Sequence, residues 1–135
     1  MIISSILENQ KIEKRIAITP EIAKKYLSLG LEVLLSENYG VHLGFMDEEY
    51  KQHGVKIYKE AKEVINNADI IVQLGLMPQE EISLIKEKQT LIGVFNPYEN
   101  REKIDSLVKK KINIFSLELL PRITRAQSMD ILSSQ

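Results

Sequence analysis

Several residue types that would define a functional site are missing from this 135-residue sequence. It has no cysteine, which excludes a disulfide scaffold, a thiolate metal site and a cysteine nucleophile. Its two histidines, His42 and His53, lie in separate segments, so a histidine metal cluster is not expected. We therefore expect no metal site.

Glycine-rich phosphate-binding turns are missing as well. Neither G-x-G-x-x-G nor a Walker A motif occurs, and Gly75 and Gly93 each stand alone. If the protein handles a nucleotide, the usual glycine turn does not bind the pyrophosphate in this chain.

Long apolar runs and a strong excess of one charge are also missing. No run approaches the roughly 20 apolar residues that span a bilayer, and no basic region precedes the short apolar stretch at the start, so we expect no signal peptide. The formal net charge of -1 argues against a nucleic-acid partner. With 44% hydrophobic and 27% charged residues, the composition is that of one globular domain, which we expect to be cytoplasmic.

Helix and strand signals alternate along the chain. Thr19-Pro20 predicts a helix start, with Ile22, Tyr26 and Leu29 on one face and an end at Gly30. Further helices are predicted in DEEYKQHG, KEVINNA, QEEISLIKEK and NREKIDSLVKKK, and strands in LEVLLSE, VKIY, DIIVQL, TLIGVF and INIFSL. The last three strand runs are apolar on both faces, as a helix-covered parallel sheet requires. This alternation predicts an α/β fold, Rossmann-like or flavodoxin-like, with a mostly parallel sheet flanked by helices.

The carboxyl ends of parallel strands are where ligands bind in such a sheet. The predicted strands therefore place the candidate functional loops at residues 73–77, 95–98 and 117–122.

The C-terminal stretch LLPRITRAQSMDILSSQ, residues 119–135, carries more polar groups than a terminal helix needs. Thr124 and Gln127 fit a capping box, while Gln127, Asp130 and Ser133 recur at three-residue spacing as one polar stripe. In one interpretation Gln127 caps the helix, Asp130 complements its dipole and the arginines are solvated.

In the other interpretation this polar stripe binds a ligand. With Arg122 and Arg125 at its start, it suits a ligand that carries amide, hydroxyl and phosphate groups. The periodicity alone leaves both interpretations open.

A second candidate is the arginine of RIAITP, residues 15–20. Arg15, entering a strand-like RIAIT run, could offer a bidentate fork to a carboxylate or phosphate. Equally, it could be a solvated charge at a sheet edge.

These motifs resemble a known family. RIAITP, DIIVQL ahead of a helix and above all PRITRAQSMDILSS resemble the N-terminal part of the alpha subunit of proton-translocating NAD(P) transhydrogenase. Alanine dehydrogenase belongs to the same superfamily and shares the RIAITP signature, but the PRITRAQS pattern is characteristic of the transhydrogenase branch. The resemblance covers essentially the whole chain.

The resemblance implies a nicotinamide site in the C-terminal stretch. It places the family's cleft arginine on Arg122 and the glutamine that contacts the nicotinamide and its ribose, our candidate catalytic residue, on Gln127. The remaining cofactor-binding positions would be the loop Ile123, Thr124 and Arg125, with Asp130 and Ser133. Arg15 matches the arginine that grips the substrate carboxylate in alanine dehydrogenases.

Two departures from the family bear on the reaction. Gln73 stands where the family usually has a lysine, and the segment FNPYE, residues 95–99, replaces the region where alanine dehydrogenases carry their acid/base histidine. Both disfavour an alanine-dehydrogenase-like reaction. Hydride transfer between two nicotinamides needs no protein acid or base.

The resemblance also implies partners. We expect residues 1–120 to form the N-terminal α/β domain and residues 121–135 to form an inter-domain loop and the start of a crossover helix, truncated before an NAD-binding Rossmann domain. NAD(H) would bind here and NADP(H) on a partner subunit, in a homodimer held at the inner membrane by membrane subunits. The alternatives are an alanine-dehydrogenase-like enzyme and a non-catalytic fragment that serves as an interaction module.

Overall fold

The computed structural model of the protein describes residues 1–11, 13–95 and 100–116. Six strands form one sheet: Ile2–Ser5 (β1), Glu32–Ser36 (β2), Lys56–Tyr58 (β3), Ile70–Gln73 (β4), Thr90–Gly93 (β5) and Asn113–Ser116 (β6). The helices between them are Pro20–Ser28 (α1), Asp47–His53 (α2), Ala61–Asn66 (α3), Gln79–Ile82 (α4) and Arg101–Lys109 (α5), with a 3-10 turn at Val41–Leu43.

The sheet has the strand order β3-β2-β1-β4-β5-β6, and all of its neighbouring strands run parallel. This confirms the predicted α/β fold, and the order is that of a Rossmann sheet rather than a flavodoxin sheet. The chain reverses its direction of growth between β1 and β4. A crevice for ligands is expected at that point.

The hydrophobic core lies on both faces of the sheet. Successive strand residues alternate between the two faces, so Val33 and Leu35 join one cluster while Leu34 joins the other. Buried residues of α1 and α2 cover the first face, including Ile22 and Tyr50. Those of α3, α4 and α5 cover the second.

The predicted helix signals are confirmed at the start of α1 and at the end of α2. The Thr19 hydroxyl oxygen accepts the Ile22 N–H at 3.3 Å, and Pro20 is the first helical residue. Gly54 ends α2 with a φ of 106°, a left-handed conformation that favours glycine.

Three details of the prediction are wrong. The periodicity predicts Leu29 on the buried face of α1, but this residue is 75% exposed because the helix ends at Ser28, and Leu27 and Leu31 pack on the cluster instead. The apolar pattern predicts a last strand buried on both faces, yet Phe115 is 51% exposed because β6 is the final strand in the sheet order.

The third detail concerns α4, which is shorter than the predicted QEEISLIKEK helix. Beyond it the chain is held by the buried carboxamide of Gln89. This side chain accepts the Lys86 N–H at 2.6 Å and donates to the Ile65 and Ala68 carbonyls at 2.7 Å each. These bonds replace a continued helix.

The centre of the sheet is a strand that the sequence pattern did not reveal. β1 pairs with both β2 and β4, although IISSIL reads only as a short apolar stretch. Conversely, the RIAIT run is not a strand. Its residues 16–18 are buried, but the central position that they would fill is taken by β1.

Two buried tyrosines form the backbone hydrogen bonds with the RIAIT segment that a neighbouring strand would otherwise form. The Tyr39 hydroxyl oxygen accepts the N–H groups of Ala17 and Ile18, both at 3.1 Å. The Tyr50 hydroxyl donates to the Ile18 carbonyl at 2.8 Å, and the two rings meet edge to face with their centroids 6.1 Å apart.

We expect Tyr39→Phe to lower the free energy of unfolding more than Tyr50→Phe. The first change leaves two buried N–H groups without their acceptor and should cost about 2–4 kcal/mol, whereas the second leaves one carbonyl and should cost about 1 kcal/mol. Urea unfolding of both variants measures the difference. Equal losses would contradict the role given to Tyr39.

We expect Gly93→Ala to lower the free energy of unfolding by about 3 kcal/mol. A Cβ at this position would lie 1.8 Å from the Gln73 carbonyl oxygen and 2.5 Å from the Phe95 ring, so β4 and β5 would have to separate. Gly75→Ala is the matched control, because its Cβ would lie 3.5 Å from its nearest neighbour, an ordinary contact. Similar losses in both variants, measured by urea unfolding, would refute this explanation.

Candidate functional site

A cleft of about 610 Å³ lies at the carboxyl ends of the strands, where the order reverses between β1 and β4. Its walls include Glu8 after β1, Gln73 and Met77 at and after β4, and Phe95 after β5. The predicted loop at residues 73–77 is therefore confirmed as part of a cleft, together with the first residue of the loop at 95–98. The third predicted loop, residues 117–122, lies outside the described residues.

The carboxamide of Gln73 extends the central strand pairing into the cleft. The register of β1 with β4 ends at Ser4 and Ile71. Beyond it, Gln73 Oε1 accepts the Ile6 N–H at 2.7 Å and Gln73 Nε2 donates to the Ile6 carbonyl at 3.1 Å. Gln73 is only 1% exposed, so its amide replaces a rung of the sheet rather than facing a ligand.

Glu8 forms the floor of the cleft beside this amide. Its Oε2 accepts hydrogen bonds from Gln73 Nε2 at 3.1 Å and from the Leu74 N–H at 2.8 Å, and its Oε1 accepts one from the Gly75 N–H at 3.2 Å. Burial raises the pKa of the Glu8 carboxyl to about 7, against the lowering effect of the two backbone donors. The group thus titrates near neutral pH.

A buried hydrogen-bond network connects the cleft floor to the RIAIT segment. The Tyr39 hydroxyl donates to Ser5 Oγ at 2.9 Å. Ser5 Oγ lies 2.8 Å from Gln73 Oε1 and 2.5 Å from the Val72 carbonyl oxygen, and its single hydrogen serves one of them at a time. The network therefore holds Gln73 in position and, through the bond from Gln73, also Glu8.

Arg15 lies at the rim of the same cleft with its side chain 72% exposed. Its guanidinium fork is engaged by Glu13, with Nε 3.0 Å from Oε2 and Nη2 2.8 Å from Oε1. It is not at a sheet edge, because the segment that carries it is not a strand. Binding of a ligand carboxylate by Arg15 stays a prediction and would require the fork to leave Glu13.

The other candidate residues lie outside the described residues. These are Arg122, Ile123, Thr124, Arg125, Gln127, Asp130 and Ser133. Their assignment stays a prediction.

Glu8 was not identified from the sequence. A signal for it exists, because a lone acid shortly after a buried strand lies at the ligand end of a parallel sheet. That signal depends on recognising IISSIL as a strand. The two serines of this run hid the strand signal, because Ser4 and Ser5 are polar residues at fully buried positions, where the pattern of a buried strand has apolar residues.

The geometry limits what the cleft can bind. The Leu74 and Gly75 N–H groups, which could otherwise bind an anion at the strand ends, are engaged by Glu8. Among the described residues, no group of three or more histidines, aspartates and glutamates is arranged to hold a metal ion. The backbone at the strand ends thus offers no open anion site, while the cleft walls combine apolar residues with the charged side chains of Arg15 and Lys103.

We expect Glu8 to make stability depend on pH. Its folded pKa of about 7 lies above the ordinary value of 4.5, so the folded state holds more protons between these values, and stability falls as pH rises through that window. The difference amounts to roughly 3 kcal/mol between pH 4.5 and pH 7. Urea unfolding at a series of pH values measures it.

The comparison variant is Glu8→Gln, which should flatten the pH dependence of the free energy of unfolding across this window. Glu48→Gln, at an exposed position on α2 that does not line the cleft, is the matched control and should keep the pH dependence. Parallel curves for Glu8→Gln and the unsubstituted protein would contradict the assignment.

Within the described residues, no helix is long and apolar enough to cross a membrane.

Residues 6–135 match the family model "Alanine dehydrogenase/PNT, N-terminal domain". The chain is 40% identical over 141 residues to the first part of NAD(P) transhydrogenase subunit alpha of Rickettsia prowazekii, in an alignment that covers 100% of this chain and 36% of the relative. It is 39% identical over 133 residues to the protein of the same name from Rhodospirillum rubrum, covering 95% of this chain and 35% of the relative. The chain thus spans little more than a third of the length of these relatives.

A solved structure gives the same result. The fold superposes on the crystal structure of transhydrogenase from Sinorhizobium meliloti with a TM-score of 0.86 and 34% sequence identity. The superposition covers 99% of this chain and 40% of that one. The chain therefore belongs to the alanine dehydrogenase/PNT N-terminal domain family and, within it, is related to the alpha subunits of NAD(P) transhydrogenases.

Proposed function

We propose that this chain is the N-terminal part of the NAD(H)-binding alpha subunit of an NAD(P) transhydrogenase. Such an enzyme would transfer hydride between NAD(H) and NADP(H), coupled in the full complex to proton translocation. The observation that carries the proposal is the 40% identity to a transhydrogenase alpha subunit along 100% of the chain.

The described cleft suits one end of the cofactor better than the other. A pyrophosphate would meet the Glu8 carboxyl at backbone donors that are already engaged, so this part of the chain does not suit the phosphates. A flat, neutral or cationic ring with a carboxamide suits the cleft, whose walls include Met77, Val94 and Phe95. When bound, the nicotinamide ring supplies the carbon that gives or accepts hydride.

In this proposal the protein positions the rings and does no acid–base chemistry. Gln127 and Arg122 would hold the nicotinamide and its ribose in register, since a carboxamide and a guanidinium present matching donors and acceptors. Ile123, Thr124, Arg125, Asp130 and Ser133 would complete that wall. Neither His42 nor His53 lines the described cleft, in keeping with a reaction that needs no general base.

The alanine-dehydrogenase alternative is less well supported by the cleft. Gln73, at the position of the family's usual lysine, has both ends of its amide engaged and carries no charge. The Arg15 fork is paired with Glu13 rather than open to a substrate carboxylate. An amino-acid substrate would thus meet a carboxyl at the floor and an already paired guanidinium at the rim.

The proposal includes an assembly. Residues 1–120 would form the N-terminal domain and residues 121–135 would lead to an NAD-binding Rossmann domain, in keeping with the 36% share of the relative that the chain covers. A homodimer of alpha subunits would dock on the membrane and NADP(H)-binding subunits, at the cytoplasmic side of the inner membrane.

The test joins residues 1–135 to the remaining sequence of the Rhodospirillum rubrum relative and combines the hybrid with the other subunits of that enzyme. We expect hydride transfer from NADH to an NADP analogue, and Gln127→Asn should slow it about tenfold or more, because a shortened amide misplaces the ring. Gln52→Asn, at an exposed position on α2, is the matched control and should leave the rate unchanged.

Two results would count against this proposal. Loss of transfer in the unsubstituted hybrid, with the protein folded, would favour the non-catalytic fragment. An unchanged rate in Gln127→Asn would contradict ligand binding by Gln127 and leave only the interpretation that it caps the helix.

A further inference from the structure

A cluster of lysines lies at the amino ends of β5 and β6, at the opposite edge of the sheet from the cleft. The segments that enter these two strands contact each other, since the Lys88 N–H donates to the Lys111 carbonyl at 3.3 Å. The lysine cluster comprises five exposed residues: Lys86, Lys88, Lys109, Lys110 and Lys111. Glu87 is the one acid within residues 86–88 and 109–111, so five positive charges and one negative charge give these segments a net charge of +4.

Neighbouring acids do not neutralise this charge. Among the described residues none of the five ammonium groups forms an ion pair, and Lys110 Nζ donates instead to the Ser83 carbonyl at 3.2 Å. Asp69 precedes the adjoining strand β4, but its Oδ2 is engaged by the Ile2 N–H at 2.7 Å. The lysine cluster therefore presents its charge to solvent.

The backbone of the lysine cluster gives an independent indication of function. Before each of the strands β2, β3, β5 and β6, the residue two positions ahead of the strand has a left-handed φ. Before β2 and β3 this residue is glycine, with φ values of 89° at Gly30 and 106° at Gly54, a conformation that costs glycine little. Before β5 and β6 it is lysine, with φ values of 74° at Lys88 and 64° at Lys111.

A lysine in this conformation is strained, because its Cβ lies too close to the backbone. The chain thus has lysine at two adjoining positions where glycine would be less strained, and both positions belong to the lysine cluster. Strain of this kind is a reason to seek a function for the side chain.

The chemistry of the lysine cluster favours an extended anionic surface over a small anion. The cluster contains no arginine, whose planar fork holds one phosphate or carboxylate bidentately. The backbone donors before β6 are already engaged, since the N–H groups of Lys110, Lys111 and Ile112 donate to carbonyls of α5. A single phosphate would thus meet only flexible ammonium groups.

Of two extended partners, a bilayer that contains anionic lipid suits the lysine cluster better than an acidic protein segment. Each exposed ion pair with a protein segment orders two flexible side chains and gains little. A charged leaflet attracts lysines without such pairing, and clusters of about four to eight basic residues bind to it. Val108, which precedes the lysines of α5 and is 59% exposed, adds an apolar side chain suited to the lipid interface.

We propose that the lysine cluster binds this chain to the surface of a bilayer that contains anionic lipid. The amino edge of the sheet would face the lipid headgroups, and the cleft at the carboxyl ends of the strands would face away from them. This contact goes beyond the proposed function, in which other subunits hold the chain at the membrane, and does not depend on it.

The experiment measures sedimentation of the 135-residue chain with vesicles made of equal amounts of phosphatidylglycerol and phosphatidylcholine. We expect the chain to bind these vesicles at low salt and to be released as salt screens the charges. Vesicles of phosphatidylcholine alone should not bind it.

Paired variants test whether the lysine cluster is responsible. The double variant Lys88→Gln and Lys111→Gln should weaken vesicle binding about tenfold or more, since each lysine near an anionic surface contributes about fivefold. The matched control, Lys24→Gln with Lys25→Gln, removes two exposed lysines of α1 and changes the net charge equally. It should leave binding within about twofold, because charges distant from the surface are screened.

A third variant separates the charge from the fold. Lys88→Gly with Lys111→Gly relieves the left-handed strain, so its midpoint in urea should equal or exceed that of the unsubstituted chain. Its vesicle binding should fall as far as in the glutamine variant. Loss of binding in a variant of undiminished stability cannot come from unfolding.

The proposal would be overturned if the anionic vesicles failed to bind, or if the α1 control lost binding equally. Tighter binding to polyglutamate than to the vesicles, at the same concentration of negative charge, would also overturn it and identify an acidic protein segment as the partner. The hydride-transfer hybrid tests the proposed function separately, and its failure would leave the vesicle result unaffected.

Discussion

The carboxamide of Gln73 is the interaction on which the rest of the cleft depends. A parallel sheet whose strand order reverses must separate the chain after β1 from the chain after β4, which exposes backbone groups at the centre of the fold. Gln73 satisfies those groups on Ile6 and, with the same side chain, holds Glu8. A buried amide with both ends engaged is stable only if every partner is in place.

This amide also affects the ionisation of Glu8, to which it donates a hydrogen bond. A lysine at this position would bring a cation beside Glu8 and keep the carboxyl ionised. With a neutral amide instead, burial dominates and raises the pKa of Glu8 to about 7. Compared with the lysine that the resemblance implies at this position, Gln73 changes the electrostatics of the neighbouring Glu8 more than it removes a group that touches a ligand.

Much of the fold could be predicted from the sequence, because the outer strands and helices carry local signals. Thr19, Gly54 and the apolar run DIIVQL each specify their element without help from distant residues. β1 and the RIAIT segment do not, since their assignment depends on which of two short apolar runs reaches the centre of the sheet. That choice is made by Tyr39 and Gln73, whose bonds join residues 21 to 68 positions apart in sequence. Glu8 was missed for the same reason.

The backbone donors that Glu8 occupies have a consequence for how the proposed enzyme would bind its cofactor. The described cleft has Glu8 at its floor and walls that are both apolar and charged, with Arg15 and Lys103 among them, and the sequence contains no glycine turn for a pyrophosphate. Under the proposed function, a glycine-turn site for the pyrophosphate would then lie outside this sequence. Glu8 would act on whatever part of the cofactor reaches the strand ends, because its carboxyl occupies the backbone donors there.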